Sequence, residues 1–233
     1  MRTWALSAGL SLIAACSAAP VDPFVVPVDG LSEKQRRKVD HVLEDVAAVV
    51  PLEAEEVRSR LEIYEFLLDE MPFTGGVVRE LGRGKWAIAR DPEDPAAFTV
   101  ADPEGYRLRF ELLRKESNRR VYATTGVFQM GILPPLEGST LIVLRMVPAG
   151  AGIRTDAVVY VRVETPFYAQ LAKGLRGLVE DKVRERSAFF IRSARWVAEE
   201  AASRADWLVM QVDGSREVDQ AVLVEFRNRF LRH

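Results

Sequence analysis

Hydrophobic positions recur about every 3.6 residues near both ends of the chain and every two residues through its middle. Ser32 and Gln35 stand at capping-box spacing. Val39, Val42, Leu43, Val46 and Val50 follow at helical intervals, and beyond Pro51 a second stripe of Val57, Leu61, Tyr64 and Leu68 runs through residues 53–70. The spacing predicts a pair of helices meeting at Pro51. Residues 42–50 also suit a strand, since Val46, Val49 and Val50 favour one. Periodicity does not separate the two readings, and the helix is favoured.

From Gly75 onward the pattern changes. Trp86 and Ile88 alternate with Lys85 and Ala87 until Asp91-Pro92 and Asp94-Pro95 break the run. Tyr106, Leu108, Phe110 and Leu112 alternate with Arg107, Arg109 and Glu111, as in a strand with one face buried. Runs at 119–130 and 139–147 come next. In 153–163, residues Ile153, Thr155, Ala157, Val159, Val161 and Val163 share a face. Short connections predict an antiparallel meander of about five to six strands.

Thr165-Pro166 then places a capping residue before a proline at the first helical position. The stripe Leu171, Leu175, Leu178, Val179, Val183, Phe190, Ala194, Val197 and Ala201 persists for about nine turns. Such a helix is on the order of 60 Å long, so it must overhang the sheet or kink. Gly174 and Gly177 weaken it by about 1 kcal/mol each, and close approach to the sheet is the expected compensation. A short amphipathic helix through Val218, Val222, Phe226 and Phe230 ends the pattern. The fold class expected is α+β: an N-terminal helix pair, a curved antiparallel meander, and a long C-terminal helix packed across it.

The first thirty residues follow neither period. A single Arg2 precedes an uncharged stretch from Trp4 to Ala15, shorter than the roughly 20 residues that span a bilayer. Ile13-Ala14-Ala15-Cys16 resembles the lipobox of bacterial lipoproteins. That resemblance implies a signal peptide over 1–15, diacylglycerol on Cys16, and, with Ser17 next, the periplasmic face of the outer membrane. Cys16 is the only cysteine of the chain, so it has no disulfide partner within it. Pro20, Pro23 and Pro27 make residues 16–30 a semi-rigid tether; an edge strand through Phe24-Val25-Val26 is the alternative. Residues 31–214 then form the folded domain, and 215–233 a helical extension.

Composition excludes several classes of activity. Nearly half the chain is apolar and the net charge is −2, with no basic block to neutralise a run of phosphates, so nucleic acid is not an expected partner. His41 and His233 are the only histidines and Cys16 the only cysteine, which leaves no thiolate or multi-histidine metal site, and no P-loop or G-x-G-x-x-G motif for a cofactor appears. His41 lies among charged residues and reads as a solvated helix position. Asp91-Pro92-Glu93-Asp94 lacks the ligand spacing of a calcium loop and reads as a turn. Arg145 and Arg162 interrupt apolar runs, and strand alternation aims them outward from the sheet.

Two stretches carry a likeness to a known superfamily. "VVPLEAEEV", residues 49–57, and "GSTLIVLRMV" with "AVVYVRVETPFYAQLAKGLRGLVEDKV", residues 138–147 and 157–183, resemble the START-like, or helix-grip, proteins, polyketide cyclase-like domains among them. Members begin with an edge strand where residues 32–50 here favour helix, so an incomplete grip is expected. The resemblance implies an apolar cavity between curved sheet and long helix. Tyr106, Phe110, Tyr122, Phe128, Val159, Val161, Leu171, Leu175 and Val179 are its candidate lining, although aromatic residues on alternating strands equally describe a core. Tyr160, Phe189 and Phe190 extend the aromatic set. The expected function is non-catalytic binding of a hydrophobic small molecule or lipid by a membrane-anchored protein. The alternative is an assembly lipoprotein that docks another envelope protein through the end of the long helix, near Trp196 or Trp207. A cyclase-like or hydrolase-like enzyme is least favoured, because histidine is so scarce.

Overall fold

A computed structural model of the protein describes residues 25–103, 105–128, 135–165 and 176–231. Cys16, the signal region, Phe128's side chain, Leu171, Gly174, Leu175 and the expected helix start at Thr165-Pro166 lie wholly or partly outside them. Helix α1, Glu33–Glu44, opens on the expected capping box: Gln35 N donates to Ser32 Oγ at 3.3 Å, and Ser32 N donates to Gln35 Oε1 at 3.0 Å.

Residues after α1 depart from the favoured reading. The helix stops at Glu44, and Ala48–Val57 form a strand, β1. Ala48, Val50 and Leu52 turn inward while Val49 and Pro51 are exposed, a period-two burial that the helical stripe does not describe. Pro51 is tolerated because β1 is an edge strand, where a missing N–H need not break the ladder. The helix pair comes after the strand, as α2 (Leu61–Asp69) and α3 (Met71–Glu80).

The meander follows as β2 (Ala87–Arg90), β3 (Ala97–Ala101), β4 (Arg107–Glu116), β5 (Arg119–Phe128), β6 (Leu136–Ala149) and β7 (Gly152–Val163). Consecutive strands pair antiparallel, and β1 pairs antiparallel with β7 to give the order β1-β7-β6-β5-β4-β3-β2. β1 and β3 bring the sheet to seven strands where five to six were expected. With β1 in place the grip is complete. The fold is α+β: one seven-stranded antiparallel sheet with helices packed across it.

Helix α4, Arg176–Val212, lies on the inner face together with α2 and α3. It breaks at Arg204, where φ −147° and ψ 49° leave the helical region. Gly177 faces open space, so close approach does not explain that glycine. Helix α5, Gln220–Phe230, capped by Asp219, packs Phe226 and Phe230 against Phe66 of α2.

The outer face of the sheet is covered too. Val39 and Val42 of α1, with Val26 and Leu31 before it, bury Leu113, Val121, Leu141, Val143 and Val158. The last residues expected to belong to a tether, 25–30, therefore lie against the sheet, and Asp29 O accepts from Arg114. Val26 is buried there without belonging to a strand.

Candidate functional site

Alternation along the strands delivers two different surfaces. Val100, Phe110, Ile142, Val159 and Val161 point inward from β3, β4, β6 and β7, where α4 crosses them. The stripe of α4 that faces them is Val179, Val183 and Phe190, with Lys182 and Arg186 between. Sheet and helix do not meet everywhere along this line. They leave a cavity of about 70 Å³, closed on a further side by Trp86 and Ile88.

The walls are almost wholly apolar. Phe98 stacks on Phe110 at 5.0 Å between ring centres, Phe110 on Phe190 at 5.7 Å, and Tyr122 meets Phe190 edge-on at 5.3 Å. Trp86 stacks on Phe189 at 4.9 Å. Aromatic pairs in such geometries add rigidity beyond the area they bury. Thr124 and Thr140, two of the hydroxyl-bearing residues in the wall, bond each other at 2.5 Å.

Charge gathers at one end. The Arg186 guanidinium lies 4.3 Å from the ring centre of Tyr106 and 5.5 Å from that of Trp86, and its Nη1 is 2.7 Å from the Asp102 carboxylate. Both partners of that ion pair are largely buried. Burial pushes the Tyr106 hydroxyl pKa up, opposed by the charge of Arg186 and a hydrogen bond with it. Lys182 Nζ lies 2.7 Å from Glu185, at the surface.

Of the sequence candidates, Tyr106, Phe110, Val159, Val161 and Val179 come together around this cavity. Tyr122 sits behind it in the core, with its hydroxyl donating to Leu68 O at 3.2 Å and its pKa raised by burial. Phe128, Leu171 and Leu175 belong to the positions whose side chains are not described. Phe189 and Phe190 are part of the wall, whereas Tyr160 packs on the outer face. Trp86 and Ile88 read as an alternating run but not as lining, and Val100 is not singled out. β3 follows a loop whose prolines and aspartates read only as a break, and nothing in a five-residue strand announces its partner.

Several charged residues elsewhere are occupied in structure. Arg109 holds Asp91 at 2.7 Å and Asp94 at 2.9 Å. The bond from Arg109 keeps the Asp91 carboxyl below the usual range. Asp91 and Asp94 also accept the backbone N–H groups of Glu93 and Ala96, which is turn chemistry. Arg145 clasps Asp156 through two bonds of 2.9 and 2.6 Å on the outer face. Arg162 donates to His41 O and lies 3.5 Å from Glu44. His41 Nε2 is 3.0 Å from both oxygens of Glu164, which also accepts from Ser139 Oγ at 2.5 Å. Both groups converge on the carboxylate rather than on each other, so no nucleophile–base pair results. Trp196 and Trp207 lie beneath Arg83 and Arg204 and pack on the core. Among the described residues no cluster of potential metal ligands occurs, and no helix is long and apolar enough to cross a membrane.

The chain is similar to several solved structures. Ara h 8.0201 is 12% identical at a TM-score of 0.43, over 65% of this chain and 98% of its own. A conserved protein from Geobacillus kaustophilus is 11% identical at 0.42, over 66% and 95%. The di-domain ARO/CYC StfQ from the steffimycin biosynthetic pathway is 16% identical at 0.43, over 70% of this chain and 55% of its own. No family model and no curated protein matches the sequence.

Proposed function

We propose that the protein binds a hydrophobic small molecule between its sheet and α4, without chemistry, while anchored through Cys16 to the bacterial envelope. One observation carries the binding half. The fold leaves an aromatic and aliphatic cavity where a helix and sheet of this length would otherwise close on each other, and desolvation favours an apolar occupant there. Among the described residues that line it, no nucleophile is held by a base.

Volume sets the terms of binding. At about 70 Å³ the space is well below the roughly 300 Å³ at which ordinary ligand pockets begin. A ligand of lipid or sterol size therefore has to part α4 from the sheet as it enters. Val179 and Val183, early in the helix, are the contacts it would displace. Native mass spectrometry of the protein purified without detergent tests this reading. A reproducible adduct that denaturation releases as an apolar molecule supports it; a bare mass, unchanged after incubation with lipid vesicles, contradicts it.

The anchoring half rests on the lipobox-like Ile13-Ala14-Ala15-Cys16 and the absence of any other cysteine. Several acyl chains at about 0.8 kcal/mol per buried methylene would hold the protein permanently. Cys16→Ser should move the protein from the membrane to the soluble fraction. Retention through an uncut signal would overturn the assignment.

A further inference from the structure

We infer that the ligand is an anionic amphiphile, with its apolar body in the cavity and its acidic end held by Lys182 beside Arg186. This rests on reading the cavity as a ligand site. The observation is one of position. The face that an amphipathic helix turns toward a core is ordinarily apolar, yet two of the positions that α4 gives to the cavity, i and i+4, are cations.

The two cations differ in what they do. Arg186 is held by the buried Asp102 carboxylate and by the faces of Tyr106 and Trp86. Its charge is largely spent within the wall, and it shapes the mouth. Lys182 is 37% exposed and its partner Glu185 is 56% exposed. An ion pair so open to water contributes little, so a competing carboxylate displaces Glu185 at small cost. The methylene stem of Lys182 continues the apolar wall toward the surface. An acid on a tail inserted past Val179 and Val183 would meet the Lys182 ammonium where it emerges.

Titration calorimetry of the full chain with decanoate, 1-decanol and decyltrimethylammonium, each below its micelle concentration, tests the inference. The expected result is decanoate tighter than decanol by about tenfold, the scale of one charge-assisted hydrogen bond, with the cation weakest. Lys182→Gln should bring decanoate down to the level of decanol, and Lys182→Glu should put the cation ahead of decanoate. Lys182→Arg should retain the preference, which separates charge from packing. Equal binding of decanoate and decanol to the unaltered protein would overturn the inference and leave the cavity reading standing. Binding by none of the three would overturn both.

Discussion

Arg120 shows how single residues hold the inner layer together. Its side chain is fully buried, with Nε 2.8 Å and Nη2 3.3 Å from Asp69, Nη2 3.2 Å from Glu65, and Nη1 donating to the carbonyls of Glu116 and Arg119. A buried charge so fully met is tolerable, but removing one partner strands the others. Arg120→Leu should lower stability by about 3–5 kcal/mol, read from the urea midpoint, because α2 loses its tie to β5. Gly76 acts by size alone: a Cβ there would lie 2.1 Å from Glu217 O, where α3 passes the segment leading to α5. Gly76→Ala should cost about 1–3 kcal/mol, against the usual gain of alanine in a helix. Burial raises the pKa of the Glu164 carboxyl, but bonds from Ser139 and His41 and the charges of His41 and Arg162 outweigh it, leaving it below its ordinary value of 4.5. A depressed carboxyl gives stability that is full above the unfolded value and lost as pH falls through the folded one. The loss should begin near pH 4.5, and Glu164→Gln should remove that part of the pH profile. None of these roles was legible beforehand. Arg120 sits in a strand beside Arg119, and only the third dimension distinguishes the buried one.

At the scale of elements, period read some strands correctly and misread another. β4 and β7 read cleanly, since Phe110 of β4 alternates with Arg109 and Glu111, and Val159 and Val161 of β7 lie on a single face. Residues 46–57 did not, because valines at Val46, Val49 and Val50 satisfy helical and strand spacing together. Pairing with β7 decides for the strand, and that partner lies about a hundred residues away. Most of β6 from Gly138 to Leu144 is buried on both faces, which is the imprint of α1 on the outer side. That second layer can be tested alone. Val39 is completely buried in it, and Val39→Ala should cost about 2 kcal/mol while leaving the inner cavity unaltered. Fluorescence of a cavity-bound apolar probe at low denaturant, beside the unfolding midpoint, would show the two effects separating.

For the whole molecule, the chain crosses from one sheet edge to the other through α2 and α3, and this puts helices over the inner face before the meander is laid down. α4 closes over the same face, and its break at Arg204 lets its end turn to meet α5. The fold class was legible from order and period alone. The cavity was legible only as a consequence of the resemblance, because an inward valine reads the same whether it touches another side chain or empty space. The account turns on that space. Its most direct test is a fluorescence titration of N-phenyl-1-naphthylamine, an uncharged apolar probe, into the protein and into Val161→Phe, which fills the cavity from β7. The account predicts saturable binding of one probe per chain, weakened at least tenfold in Val161→Phe with the unfolding midpoint little changed. Equal binding by both proteins, or none by either, would contradict it.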